Sequence, residues 1–162
     1  MVHPHLLDKV PMEDRKQYET DFEIITSVQP LEIVKDVFFL GQIPRQTKFE
    51  KGGYKDDAML DDSAIAIRSK DGVIVLTGCS HSGICNICEY AKKITNQKLF
   101  SVIGGFHLFE DDPIAIEGTM DYFRKEKPAR LYPMHCVDFP ILARFHSEFK
   151  INKLGTGDVI EY

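Results

Sequence analysis

Three times along this chain a short apolar run stops at a corner carrying a histidine and gives way to a helical pattern. The first is Gly72-Val-Ile-Val-Leu-Thr-Gly-Cys-Ser-His81-Ser-Gly, the second Leu99-Phe-Ser-Val-Ile-Gly-Gly-Phe-His107, and the third Arg130-Leu-Tyr-Pro-Met-His135-Cys136. An apolar run without strict alternation reads as a strand buried on both faces, and strands that hand over to helices specify an α/β (α+β) fold. At such junctions side chains from separate segments converge on one ligand or metal, so His81, His107 and His135 are the candidate site residues.

The rest of the chain supports this frame. Residues 1–29 are weakly patterned and read as a short helix or irregular arm, in which Pro4 between His3 and His5 argues against a strand. Residues 30–162 carry the fold, within a single domain. Pro30 to Leu40 reads as a strand or a pair of short strands closed by Gly41. A long polar loop follows, and loops of that length are usually functional or disordered. Within it Arg45 is a candidate for gripping a substrate anion, or else a solvated arginine.

Ala64 begins a strand, and Lys70-Asp71-Gly72 has the chemistry of a hairpin turn, so the flanking strands pair antiparallel. From Ser82 to Asn96, the spacing of Ile84, Ile87, Cys88, Ala91 and Ile94 predicts one face of a helix, with Cys85 and Cys88 there for packing. Asp112-Pro113 opens a second helix and Asp138-Phe139-Pro140 a third. His146 falls inside the last helix as a surface or packing residue. Leu154 to Tyr162 alternates like an edge strand.

At 162 residues the chain suits one domain, which buries about 68–70% of its unfolded surface. Its 20 basic and 25 acidic residues, scattered with a net charge of −5, offer nothing to a polyphosphate backbone, so nucleic acid is not an expected partner. No apolar run reaches the roughly 20 residues of a membrane span, and the start lacks the plan of a secretory signal. A soluble cytoplasmic protein without membrane contact is expected, with its four cysteines reduced.

A metal needs neutral imidazole nitrogens at about 2.0–2.1 Å in a fixed fan, and rigid strand ends supply that better than loops. Helix N-termini beyond His81 and His135 disfavour their protonation. One such histidine is as well explained by a bond to a carbonyl. Three repeats of strand, corner, histidine and helix favour a divalent metal, zinc first, with manganese and iron open.

Gly78-Cys-Ser-His81-Ser-Gly-Ile-Cys-Asn86, Gly104-Gly-Phe-His107-Leu and His135-Cys136 follow an upstream set of Gly41-Gln-Ile-Pro-Arg45, Phe49-Glu50 and Asp61-Asp62. In this the sequence resembles a branch of the metallo-β-lactamase superfamily: metal-dependent hydrolases, some archaeal members being dihydropterin ribofuranosylaminobenzene phosphate synthases. The resemblance implies the C-terminal portion of an αββα sandwich, with a mixed sheet and helices on one face. It puts His81 and His135 at metal-ligand positions, and His107 where many members place an acidic bridging ligand. Asp62, Arg45 and Cys136 follow as residues that orient a ligand or touch substrate.

Two departures stand out. The superfamily's early His-x-His-x-Asp-His motif does not occur, and Val137-Asp138 stands where relatives often show Thr-Gly. The expectation is a truncated or split hydrolase-like chain, inactive alone, acting on a small-molecule substrate when completed. A lone second half leaves apolar sheet surface bare, so a homodimer or a complex with a separately encoded N-terminal half is expected. The alternative is a non-catalytic dimeric remnant or subunit with weak or no metal binding.

Overall fold

In a computed structural model, residues 1–53, 56–151 and 154–162 are described. The Asp71-Gly72 turn joins β3 (Ala64–Arg68) to β4 (Val73–Thr77) in an antiparallel pair, Ile65 opposite Leu76 and Arg68 opposite Val73. Gly72 takes φ of 139°, which few side chains tolerate. Upstream, β1 (Leu31–Val34) and β2 (Val37–Phe39) form a second hairpin around Asp36, so the expected pair of short strands is present. Downstream, β5 (Leu99–Gly104) and β6 (Arg130–Pro133) add in parallel, giving one sheet in the order β1-β2-β3-β4-β5-β6.

Parallel addition requires helical crossovers. These are α3 (Ile84–Thr95) between β4 and β5, and α4 (Pro113–Glu126) between β5 and β6. Asp112 caps α4 by accepting from the Ala115 N–H at 3.1 Å, with Pro113 in the first turn. The last helix, α5 (Phe139–Phe149), follows β6. Residues 1–29 hold two short helices, α1 (Pro4–Lys9) and α2 (Met12–Asp21), neither burying a residue. Buried His3 caps α1, its Nδ1 accepting from the His5 N–H. Among the described residues no helix is long and apolar enough to cross a membrane.

The core lies on one face of the sheet. Ala66, Val73, Val75 and Val102 pack there with Ile84, Ile87, Cys88 and Ala91 of α3, Met120 and Phe123 of α4, and Phe145 of α5. Phe106 stacks on Phe123 at 5.5 Å between ring centres and meets Phe145 edge-on at 5.7 Å. The opposite face carries a register row through every strand, Leu31–Phe39–Ile65–Leu76–Ile103–Tyr132. All six are apolar or aromatic, and Leu76, in a central strand, is 45% exposed.

The C-terminal residues depart from expectation. Leu154 to Tyr162 form no strand; Gly155 donates to the Asp158 carboxylate and turns the chain. Tyr162 Oη lies 2.7 Å from Ser101 Oγ, and the Arg130 guanidinium sits 5.0 Å above its ring. Alternation states where side chains would point, not whether a ladder edge is within reach, and side-chain contacts hold this segment instead.

Candidate functional site

The three histidine corners are tied to one another by backbone hydrogen bonds. Gly105 N–H donates to the Gly78 carbonyl at 2.8 Å, joining the first corner to the second. Met134 N–H donates to Gly104 at 2.9 Å and Leu108 N–H to Cys136 at 3.0 Å, joining the second to the third. Ser80, almost fully buried, donates its hydroxyl to the Gly105 carbonyl at 2.6 Å. Gly104 adopts φ of 138°, and a Cβ there would collide with the Thr77 carbonyl, so only glycine allows this approach.

This frame brings His81 and His107 face to edge, 4.7 Å between ring centres and 79° between planes. They line a cleft of about 250 Å³ with Glu50, Ser80, Phe106 and Phe109. Asp62 Oδ1 stands 3.8 Å from His81 Nδ1, while Asp62 Oδ2 accepts the Ser82 N–H at 2.8 Å. The carboxylate thus spans the start of the helix turn and the imidazole. Burial holds His107 below the ordinary histidine range, and neighbouring His81 lowers it further, against the opposing pull of Asp62. His107 Nδ1 is buried without a hydrogen-bond partner among the described residues. A buried polar atom in that state costs about 1–3 kcal/mol unless an ion or solvent engages it. Two imidazoles and a carboxylate thus gather on one side of the cleft, one imidazole nitrogen orphaned.

His135 meets two thiols. Its ring nitrogen and the sulfurs of Cys79 and Cys136 lie within 4.8 Å of one another, the two sulfurs 3.4 Å apart. Among the described residues, His81, His107 and Asp62 form no group of three donors within that span, either with His135 or among themselves. Of the other expected residues, Asp62 joins the His81 side and Cys136 the His135 side. Arg45 bonds to the carbonyls of Ala58 and Met59, bracing the loop that follows β2. A further cluster, His5 with Asp57 and Asp61, already holds a cation, because the Lys9 ammonium bridges both carboxylates.

Sequence reasoning misses what Glu50 does. Its carboxylate accepts from the Cys85 and Asn86 N–H groups at 2.8 and 3.0 Å and from the Thr47 hydroxyl at 2.8 Å. It caps α3 from across the loop, in place of Gly83, which has no side chain to do so. Burial pushes its carboxyl above the usual range, against the pull of those donors. Asn86 completes the joint, accepting from the Gln46 and Thr47 N–H groups and donating to Ser82. No local pattern links residues this distant; only the Phe49-Glu50 element of the resemblance points there.

No protein-family model matches the chain. The crystal structure of a metal-dependent hydrolase of the β-lactamase superfamily superimposes with a TM-score of 0.74 at 28% identity, covering 86% of this chain and 58% of that one. An uncharacterized protein of Methanocaldococcus jannaschii is 36% identical over 143 residues, 82% of this chain and 52% of the relative. The 7,8-dihydropterin-6-methyl-4-(beta-D-ribofuranosyl)-aminobenzene-5'-phosphate synthase of the same organism is 32% identical over 154 residues, covering 85% and 52%. The chain spans about half the length of the curated relatives it matches. With its mixed sheet and strand-end histidines, it shares the fold of that metal-dependent hydrolase and is related to the metallo-β-lactamase superfamily. Within that superfamily its sequence is similar to the branch that includes the dihydropterin synthase.

Proposed function

We propose that the chain is the metal-binding part of a metal-dependent hydrolase, carrying ligands at His81, His107 and His135 and inactive until a further polypeptide layer completes the site. The observation that carries this reading is the His81–His107 pair with its buried, unpartnered nitrogen on His107. His81 and His107 serve one metal position and His135 an adjacent one. Zinc is the metal placed first, with manganese and iron suiting the same nitrogen and oxygen donors. A divalent ion bound there acts as a Lewis acid and brings a water's pKa toward neutrality, suiting hydrolysis of an ester, amide or phosphoester in a small molecule. Asp62 orients the His81 ring, and Phe106 and Phe109 narrow the cleft against bulk water.

The completing layer belongs on the open face of the sheet. An apolar row of six strands' width, exposed at Leu76 and Leu31, fits a second apolar sheet, supplied by a second copy or by a separately encoded first half. Metal analysis tests the reading: the purified chain retains metal of which His81→Ala loses the share held by the histidine pair, and it does not hydrolyse a generic phosphodiester alone. Trace metal unaffected by His81→Ala would reject it. That His81, His107 and His135 form no common cluster of donors among the described residues favours one other reading, a non-catalytic dimeric subunit holding metal weakly.

A further inference from the structure

We propose that Cys79, His135 and Cys136 form a sulfur-rich site for a thiophilic divalent cation, zinc above all, with the fourth coordination position open to solvent. The proposal rests on His135 as a ligand, but on sulfur donors that the hydrolase reading does not use.

The first argument is spacing. Two thiolates on a tetrahedral zinc, each about 2.3 Å from the ion, lie about 3.8 Å apart. A covalent disulfide holds its sulfurs at about 2.05 Å. The observed 3.4 Å lies near the former and far from the latter, and all four cysteines are free thiols. The His135 nitrogen is within 4.8 Å of both sulfurs, so the three donor atoms surround one point.

The second argument is what holds the donors there. Cys79 lies beyond β4, while His135 and Cys136 lie beyond β6, the two corners reaching each other through the backbone bonds of Gly104 and Gly105. Cys136 adopts a left-handed φ of 54°, uncommon for a residue with a side chain, and is kept in it by the Leu108 N–H bond to its carbonyl. A Cβ on Gly105 would come within 2.9 Å of His135 Nε2, so the glycine keeps space beside the ring. Structure imposed from outside the residues aims both thiols at each other.

The remaining cysteines supply the contrast. Cys85 and Cys88 are fully buried in the core, where an entering ion does not reach them. Cys79 and Cys136 are half-buried and His135 is exposed, so an ion can enter and a fourth ligand can bind. Soft sulfur donors favour zinc over harder cations, whereas imidazole donors alone, as at His81 and His107, discriminate less among first-row metals.

The test uses cobalt(II) as probe under anaerobic, reducing conditions. Cobalt binding to the whole chain should produce a near-ultraviolet sulfur-to-metal charge-transfer band, lowered in Cys79→Ser or Cys136→Ser and absent in the double variant. His81→Ala should keep the band, which separates this proposal from the histidine pair. Alkylation provides the second readout: zinc should slow labelling of Cys79 and Cys136 at least tenfold, reversed by a chelator. Cobalt bound with no such band, a band that survives in the double variant, or labelling unchanged by zinc would each overturn the proposal.

Discussion

The Glu50 carboxylate occupies the space that a side chain on Gly83 would need, and from there it takes the first free N–H groups of α3. The relationship is reciprocal: glycine at the helix start admits the carboxylate, and the carboxylate replaces the cap that glycine lacks. Because His81 lies two residues before Gly83, this joint also fixes one wall of the cleft.

Removing the acceptor leaves two N–H groups at a buried helix start unsatisfied. Glu50→Ala should therefore lower unfolding free energy by about 1–3 kcal/mol, with Glu50→Gln losing less because its amide oxygen still accepts. Urea denaturation followed by circular dichroism measures both.

The same carboxyl makes stability depend on pH. Its folded pKa is raised by burial above 4.5, the ordinary glutamate value, so the folded state binds this proton more tightly than the unfolded one. Its contribution is fully present below that value and is lost as pH rises through the raised folded value. Over that rise, wild type should lose stability relative to Glu50→Gln, which has no proton to release. Denaturation midpoints at a series of pH values decide it; a constant difference would contradict the assignment.

Gly83→Ala should cost about 1–3 kcal/mol, since φ of 93° disfavours any side chain and the added methyl group would displace the Glu50 carboxylate. A lowered thermal midpoint with an unchanged far-ultraviolet spectrum is the expected result.

Asp62→Asn keeps an oxygen for the Ser82 N–H but removes the charge facing His81. Metal affinity should fall about 10–100-fold, as when a group behind a ligating histidine is changed. Competition with a chromophoric chelator reads the change, and the melting temperature should move little.

Leu76→Lys places a charge in the middle of the open apolar row without entering the core. Association should fall at micromolar concentration in sedimentation velocity, with secondary structure retained. Ala66→Lys, on the fully buried face one strand away, should instead unfold the chain.

Much of the scaffold is legible in the order of residues. Asp71-Gly72 announces its hairpin, the α3 periodicity places Ile84, Ile87, Cys88 and Ala91 inward, and Asp112-Pro113 marks a helix start, because each signal is local in the chain. The C-terminal residues mislead for the converse reason: their alternation is local, but pairing needs a distant edge. Glu50 escapes notice because its partners lie far along the chain.

By itself, the amino-acid sequence determined that three histidines would stand where strands give way to helices, since hydrophobic periodicity and turn chemistry set those boundaries from neighbours alone. Which imidazoles meet was decided only by tertiary structure. The hydrogen bonds from Gly105 to Gly78, from Met134 to Gly104 and from Leu108 to Cys136 set the relative depth of the corners. That depth puts His81 beside His107 and His135 beside two thiols. A shift of a few ångströms between corners, invisible in any local pattern, decides which side chains become neighbours.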